Sequence, residues 1–290
     1  MFIFSVVLID VYSCETAPND TWGEVVRLNF TLSHCGKSVS VAADGALLAV
    51  GCDGVIVIYQ RDNPLLYYWT LLTSLKPVDV VSDDGFGSVL DMDEDVLVAS
   101  ASGRGTVYVF LRDHGGNNTW GLTRNLVPSP TPDAEELFGT AVAVSANIIA
   151  VPSTQAIYLF ERDYTETDMW GQKARLRYAG LVMCFDMNSL CATAAHSFVS
   201  VAMKNGEAIV GVPGAACIYS CNTDPINTWV FLDTVNAPDS ANSADFGRTV
   251  GITSRFQALI SSASATISSA NSGAVYVYSY FHPTVTGIIF

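Results

Sequence analysis

Acidic residues at alternate positions are the most direct candidates for binding chemistry in this chain. Asp91, Asp93 and Asp95 have the spacing at which the carboxylates of a loop can hold a calcium ion. The apolar residues 96–98 follow at once, however, and a calcium cage of about six to eight oxygens needs a longer loop with a glycine to turn it. We therefore interpret the three aspartates as an acidic hairpin in water, in preference to a calcium site, and expect no cofactor.

Two pairs of adjacent carboxylates indicate a second kind of chemistry, the hydrolysis of glycosidic bonds, which needs two acidic groups. The pairs are Asp83-Asp84 and Glu135-Glu136, and both precede a Phe-Gly step at a similar offset, which favours polar, solvated loops. The four histidines lie outside any metal-ligand spacing, and the chain has neither a G-x-S-x-G elbow nor a P-loop. We predict that the protein has no catalytic residues and is not an enzyme.

Cysteines could serve in metal binding, in redox chemistry or in disulfides, and the chain has seven of them. None belongs to a C-x-x-C pair, so neither a zinc ribbon nor a thioredoxin-type site is expected. Cys184 and Cys191 fall in one long connection and could close a short disulfide in an oxidising compartment. The others are interpreted as small buried hydrophobic residues: Cys14, Cys35, Cys52, Cys217 and Cys221.

Three N-glycosylation sequons, at Asn19, Asn29 and Asn117, bear on the compartment of the protein. Residues 1–9 are mostly apolar but include no Lys or Arg, and Asp10 interrupts the run, so the pattern is not that of a secretory signal peptide. The sequons are nevertheless compatible with an extracellular or cell-surface glycoprotein, which is the localisation that we expect.

The composition excludes several classes of protein. The 290 residues include 14 Lys and Arg against 28 Asp and Glu, a net charge of −14, which argues against a nucleic-acid partner. Half of the residues are hydrophobic, 14% are charged and the mean hydropathy is +0.32, so an intrinsically disordered chain is excluded. No apolar run approaches the ~20 residues of a membrane-spanning helix. These values predict a protein with a large buried core.

The tryptophans reveal an internal repeat that accounts for this core. They are Trp22, Trp69, Trp120, Trp170 and Trp229, separated by 47, 51, 50 and 59 residues. Six residues after each tryptophan comes an aliphatic residue: Leu28, Leu75, Leu126, Leu176 and Val235. A period of about 40–50 residues without helical patterning is typical of propeller blades.

Each repeat contains the same succession of short segments. The first segment is a Phe-Gly-like step. It is followed by a run of small and aliphatic residues, such as 47–51, and then by a strand with aromatic residues, such as 107–110. The steps are Phe86-Gly87, Phe138-Gly139 and Phe246-Gly247, with Cys35-Gly36 in the first unit and Ser197-Phe198 in the fourth. These β-branched and aromatic runs, divided by turns such as Asn205-Gly206, predict an all-β protein, a β-propeller of four-stranded antiparallel blades.

The sequence predicts that the chain begins inside a repeat. Residues 11–22 match residues 218–229 at seven of twelve positions without a gap. We therefore expect residues 1–21 to form the tail of a partial blade, which residues 283–290 could complete. The complete repeats are expected at about 22–68, 69–119, 120–169, 170–228 and 229–282 of a single domain, 1–290.

The combination of W-x5-L, F-G-x-x-V, a LAVG-type strand and a G-x-VYVF strand resembles the FG-GAP repeat. That family forms the propeller at the N-terminus of integrin α chains and of bacterial and protist surface proteins, usually with seven blades. The resemblance, from about residue 9 to residue 280, implies a truncated seven-bladed propeller. The integrin-type calcium loop between the first two strands of a blade has no room here, because residues 145–147, for example, are the whole connection.

The least repetitive segment is the connection that follows Trp170. From Trp170 to Ser197 there are 27 residues, against 17 or 18 in the corresponding segments of other units. The apolar residues of this insertion are candidate contacts for a partner: Tyr178, Met183, Phe185, Met187 and Leu190. In integrins the corresponding connections lie on the ligand-binding face, which implies recognition of a ligand by the loop at residues 177–196.

The sequence thus predicts a non-catalytic interaction or adhesion module that binds a protein or glycan through loops on one propeller face. Two alternatives remain open. One is a carbohydrate-active hydrolase with carboxylates near the propeller axis, and the other is a structural repeat in a larger assembly.

Overall fold

The structure, a computed structural model, describes residues 7–13, 23–42, 45–61, 63, 68–130, 137–163, 169–177, 200–222, 228–237, 245–253, 257–263, 273–279 and 287–289. These residues form 22 strands and two short 3₁₀ turns, Ser82–Asp84 and Ser102–Arg104. The strands in chain order are β1 (Val7–Ser13), β2 (Gly23–Phe30), β3 (Ser38–Val41), β4 (Leu47–Gly51), β5 (Ile56–Arg61), β6 (Trp69–Leu75), β7 (Val89–Asp93), β8 (Val96–Ala101), β9 (Thr106–Arg112), β10 (Trp120–Leu126), β11 (Ala143–Ser145), β12 (Ile148–Pro152), β13 (Ala156–Glu161), β14 (Gly171–Arg177), β15 (Ser200–Lys204), β16 (Glu207–Val212), β17 (Ala215–Asn222), β18 (Thr228–Asn236), β19 (Phe246–Ile252), β20 (Gln257–Ser262), β21 (Ala274–Ser279) and β22 (Gly287–Ile289).

The strands form five four-stranded antiparallel sheets and one two-stranded sheet. Each four-stranded sheet, called a blade from here on, consists of strands that are consecutive in the chain and neighbours in the sheet. Blades 1 to 5 are β3–β6, β7–β10, β11–β14, β15–β18 and β19–β22. The predicted all-β fold with four-stranded antiparallel blades is confirmed.

The strands of a blade differ in how deeply their side chains are buried. In blades 1 to 4 the second strand is buried on both faces, and all residues of Leu47–Gly51, for example, are buried. In the same four blades the fourth strand begins at or near a buried tryptophan, and in Trp69–Leu75 the buried ends enclose more exposed positions. Asn205 and Gly206 have φ of 50° and 79°, so the hairpin turn expected there is confirmed.

The Phe-Gly step fixes the start of three blades by aromatic packing. Its phenylalanine meets a tyrosine of the third strand of the same blade edge to face, and the centroids are 5.4 Å apart in each pair: Phe86–Tyr108, Phe138–Tyr158 and Phe246–Tyr276. The glycine that follows has φ between 84° and 86° at Gly36, Gly87, Gly139 and Gly247, which an L side chain rarely adopts. A side chain at Gly87 would also lie 2.7 Å from the carbonyl oxygen of Cys52 in the preceding blade.

The ends of the chain differ in part from the expected partial blade. β1 pairs antiparallel with β2 in the two-stranded sheet, with Val7 opposite Phe30 and Ser13 opposite Gly23. β22, by contrast, pairs with β21, with Tyr278 opposite Gly287. The expectation that residues 283–290 complete the N-terminal partial blade is therefore wrong for residues 287–289, which form the fourth strand of blade 5.

By the density of their internal contacts, the residues divide into two compact units, Met1–Asn125 and Leu126–Phe290. The first unit contains a core shared by blades 1 and 2, in which Leu47, Phe86 and Tyr108 are buried. In the second unit one core joins blades 3 and 4, and another joins blades 4 and 5 around Phe246. The cores between neighbouring blades account for the high hydrophobic content of the sequence. In the part of the chain that the structure describes, no helix is long and apolar enough to span a membrane.

Candidate functional site

Loops at one end of the strands form the candidate functional surface of the first unit. Ser38 lies opposite Gly51 in blade 1, and Val89 lies opposite Ser100 in blade 2, so the connection before the first strand and the turn after the second strand share one end of each blade. We call this surface the connection face and define it by residues 31–37, 52–55, 76–88 and 102–105. In the sequence, the long insertion precedes β15, the first strand of blade 4, as residues 76–88 precede β7.

A disulfide and an ion pair hold the part of the connection face that blade 1 contributes. Cys35, before the first strand, is bonded to Cys52, after the second strand. The Lys37 Nζ lies 2.9 Å from a carboxylate oxygen of Asp53, and the hydrogen bond from Lys37 lowers the pKa of Asp53. The His34 Nδ1 lies 3.7 Å from the other carboxylate oxygen. The arrangement is a covalently closed loop with charged groups at its surface.

In blade 2, an arginine organises the connection face. The Arg104 guanidinium donates a hydrogen bond to the Asp79 carbonyl oxygen and lies 3.5 Å from the Asp84 carboxylate. The Asp84 carboxylate also accepts a hydrogen bond of 2.8 Å from the backbone N–H of Val81. The Tyr108 hydroxyl lies 3.0 Å from the Asp79 carboxylate, and burial, with this contact, raises the pKa of Tyr108 to about 12. These contacts fold the loop at residues 76–88 onto the turn at 102–105.

The ordered loops of the connection face expose apolar side chains. Val78 is fully exposed at 104%, and Val81 is 62% exposed, although both belong to the loop that Arg104 holds. Leu32, in the corresponding connection of blade 1, is 40% exposed. The described connection face therefore exposes apolar side chains next to the charged groups of the same loops.

Two hydrogen bonds join the loops of blade 1 to those of blade 2. The backbone N–H of Gly54 donates to the carbonyl oxygen of Phe86 at 3.1 Å. The Ser38 hydroxyl donates to the carbonyl oxygen of Gly87 at 2.9 Å. The two halves of the connection face are therefore held in a fixed relation within the first unit.

The three aspartates considered for calcium lie on a hairpin. Asp91 and Asp93 belong to β7, and Asp95 follows in the tight turn to β8, where Glu94 has a φ of 51°. The Ser40 hydroxyl of blade 1 donates a hydrogen bond of 3.0 Å to the carboxylate of Asp91. No group of three or more metal-ligating side chains is found within the described ranges.

The two adjacent carboxylates Asp83 and Asp84 differ in burial and in their contacts. Asp83 is exposed, whereas the buried Asp84 serves the loop structure through Val81 and Arg104. Glu135 and Glu136 lie outside the described residues. Asp84 therefore has a structural role in the connection.

The other predicted sites are only partly covered by the structure. Asn117 is exposed in the turn between β9 and β10. Asn29 lies in β2, and its side chain is not among those described. The following predicted site residues lie outside the described residues: Asn19, Tyr178, Met183, Cys184, Phe185, Met187, Leu190 and Cys191.

The sequence did not predict the Cys35–Cys52 disulfide. It predicted only that both cysteines are small buried residues, and both are buried. The disulfide forms because the strand ends that carry the two cysteines meet at one end of the blade. The repeat contained a signal, since Cys35 stands where other blades have the phenylalanine of the Phe-Gly step. Cys217 is a buried thiol, and burial raises its pKa to about 11.

Solved structures share the fold of this chain. A functionally unknown protein from Desulfotomaculum acetoxidans DSM 771 aligns with a TM-score of 0.60 and 11% identity over 97% of this chain and 75% of that chain. Hsv2 of Kluyveromyces lactis, a β-propeller, aligns with a TM-score of 0.51 and 12% identity over 87% of this chain and 62% of that chain. A Kluyveromyces lactis Hsv2 with loop 6CD replaced by a Gly-Ser linker aligns with a TM-score of 0.50 and 13% identity over 92% of this chain and 73% of that chain.

These likenesses establish the fold, an all-β β-propeller built of four-stranded blades. No family model matches the chain, and no curated protein matches it. The chain spans about 62% of the length of Kluyveromyces lactis Hsv2.

Proposed function

We propose that this protein is a non-catalytic interaction module of the FG-GAP type, which binds a protein or glycan through the loops of the connection face. The observation that carries the proposal is the exposure of Val78 and Val81 on a loop held by Arg104. A solvated loop without a partner gains nothing from exposed valines, whereas a preordered apolar surface loses little conformational entropy on binding.

The Phe-Gly steps support the assignment of the repeat type. Three of them place the phenylalanine against a tyrosine of the third strand in the same edge-to-face geometry. All four glycines of the steps that the structure describes have the same left-handed backbone. The repeat is therefore one structural unit that recurs, as an FG-GAP assignment requires.

An extracellular or cell-surface location belongs to the same proposal. The Cys35–Cys52 disulfide supports it, because disulfides persist mainly in oxidising compartments. The exposed position of Asn117 in a turn would admit a glycan. A mass measurement of the protein secreted from eukaryotic cells, before and after removal of N-glycans, tests this point.

The binding proposal is tested with charge substitutions on the connection face. The double variant Val78→Asp/Val81→Asp is compared with wild type for binding to an array of extracellular proteins and glycans. We expect the affinity for any array component bound by wild type to fall about tenfold or more, because two carboxylates would have to be desolvated at the interface.

The matched control is Leu71→Asp/Leu122→Asp, which changes two exposed leucines on the fourth strands of blades 1 and 2. This variant should bind as wild type does. Equal affinities of the connection-face variant and wild type, with both proteins folded, would show that the partner binds elsewhere.

A further inference from the structure

The junction between blades 4 and 5 has the same framework as the junction between blades 1 and 2. The Ser200 hydroxyl donates to the carbonyl oxygen of Gly247 at 3.0 Å, as Ser38 donates to Gly87. The backbone N–H of Gly214 donates to the carbonyl oxygen of Phe246 at 2.9 Å, as Gly54 donates to Phe86. These paired bonds allow the side chains at the two junctions to be compared position by position.

In the first unit, leucines fill the space between the blades. Leu47 begins the second strand of blade 1 and is 1% exposed. Leu97 occupies the second strand of blade 2, opposite Met92, and is fully buried. Both leucines belong to the continuous core of blades 1 and 2.

In the second unit, the positions equivalent to Leu47 and Leu97 carry other residues. Glu207 stands four residues before Gly211, as Leu47 does before Gly51. Ala258 lies opposite Ile252 and Tyr278, in the place of Leu97. A methyl group in place of the isobutyl group of leucine leaves a cavity where surrounding residues do not collapse.

A pocket occupies this place between blades 4 and 5. Its walls include Ile209 and Ile218 of blade 4 and Ile252, Ala258 and Tyr278 of blade 5. The walls are almost entirely apolar. The pocket lies toward the end of the strands opposite to the connection loops.

Among the described residues that line the pocket, the charged ones are Glu207 and Asp233. Glu207 is half-buried, and burial raises the pKa of its carboxyl. Lys204 is its cross-strand neighbour, but among the described residues no ion pair joins the two side chains. The pocket therefore combines an apolar interior with two carboxylates that form no ion pair within the described ranges.

We propose that this pocket binds the side chain of a lysine from a partner protein, with the methylene stem between the blades and the ammonium group at Glu207. The stem of lysine is a linear apolar chain, and its ammonium complements the charge of Glu207 and Asp233. The site does not depend on the connection face, so it can be tested separately from the proposed function.

The probe is a short acetylated and amidated alanine peptide with one central lysine, added to the intact protein labelled at its isoleucine methyl groups. Saturable shifts are expected for the methyl signals of Ile209, Ile218 and Ile252. The same peptide with norleucine, which keeps the stem and lacks the ammonium group, should bind about fivefold more weakly or worse. Absence of methyl shifts, or equal affinity of both peptides, would overturn the proposal.

Two variants test the two parts of the site. Ala258→Leu restores the side chain found in blade 2 and should weaken lysine-peptide binding about tenfold or more, because it fills the pocket. Glu207→Gln should abolish the preference for lysine over norleucine and leave the binding of norleucine unchanged. Unchanged lysine binding by Ala258→Leu would contradict the proposal.

The control variant is Glu94→Gln, which removes an exposed carboxylate from the turn between β7 and β8 and should bind as wild type does. Free butylammonium is measured in parallel. If butylammonium binds more tightly than the lysine peptide, the site is one for a small amine, and the assignment to a partner lysine is overturned.

Discussion

The Ser38 hydroxyl of blade 1 donates a hydrogen bond of 2.9 Å to the carbonyl oxygen of Gly87 in blade 2, which lies 49 residues further along the chain. Ser200 and Gly247 repeat this relationship in the second unit. In both cases the serine is the first residue of its blade, and the acceptor belongs to the Phe-Gly step of the next blade. The Phe-Gly step therefore makes a contact between blades, in addition to its aromatic contact within its own blade.

Replacement of Ser38 by alanine should destabilise the first unit by about 1–2 kcal/mol, because the carbonyl group of the buried Gly87 loses its hydrogen-bond donor. Urea unfolding followed by tryptophan fluorescence measures the difference. Ser74→Ala, at an exposed serine of β6, is the control and should change the free energy of unfolding by less than about 0.5 kcal/mol. Equal effects of the two substitutions would mean that the inter-blade bond adds nothing to stability.

Replacement of Gly51 by alanine should be more damaging than the loss of this hydrogen bond. A side chain at Gly51 would overlap the carbonyl oxygen of Gly87 and the hydroxyl of Ser38, so the two blades would have to separate. We expect a loss of about 3 kcal/mol or more in the free energy of unfolding.

The control for this prediction is Gly54→Ala in the neighbouring turn. A side chain there meets nothing within 4 Å, and the cost is limited to its positive φ of 72°. A milder unfolding penalty for Gly51→Ala than for Gly54→Ala would show that the close approach of the blades is not rigid.

Loss of the Cys35–Cys52 disulfide should lower the stability of the first unit by about 3 kcal/mol, as expected for a loop whose ends are 17 residues apart. The measurement is thermal unfolding with and without dithiothreitol, for wild type and for the double variant Cys35→Ala/Cys52→Ala. The reductant should lower the Tm of wild type and leave that of the variant unchanged. An equal decrease of Tm in both would assign the effect to other cysteines.

The sequence predicted the strands and their order, because these depend on local patterning within one repeat. It did not predict the disulfide or the pocket, which depend on departures from the repeat. Cys35 replaces a phenylalanine, and Ala258 replaces the leucine found at position 97, but each change has a meaning only once the residues opposite are known. The burial of Asp84 was missed for the same reason, since its partner Arg104 lies in another turn.

The stability of the second unit should depend on the charge of Glu207. Burial raises the pKa of this carboxyl in the folded protein above its value in the unfolded chain, so the folded state binds the proton more tightly. The contribution of Glu207 to the stability of the folded protein is therefore fully present at pH values below its pKa in the unfolded chain. This contribution is lost as the pH rises through its raised pKa in the folded protein.

Glu207→Gln should consequently raise the Tm at pH 7, where wild type bears the charge, and the gain should disappear as the pH falls below about 4.5, the ordinary pKa of a glutamate. Thermal unfolding between pH 4 and pH 8 tests this, with Glu94→Gln as the variant of equal charge. A lower Tm for Glu207→Gln at pH 7 would mean that a cationic group compensates Glu207 in the folded protein. The carboxylate would then not be available to the ammonium group of a partner.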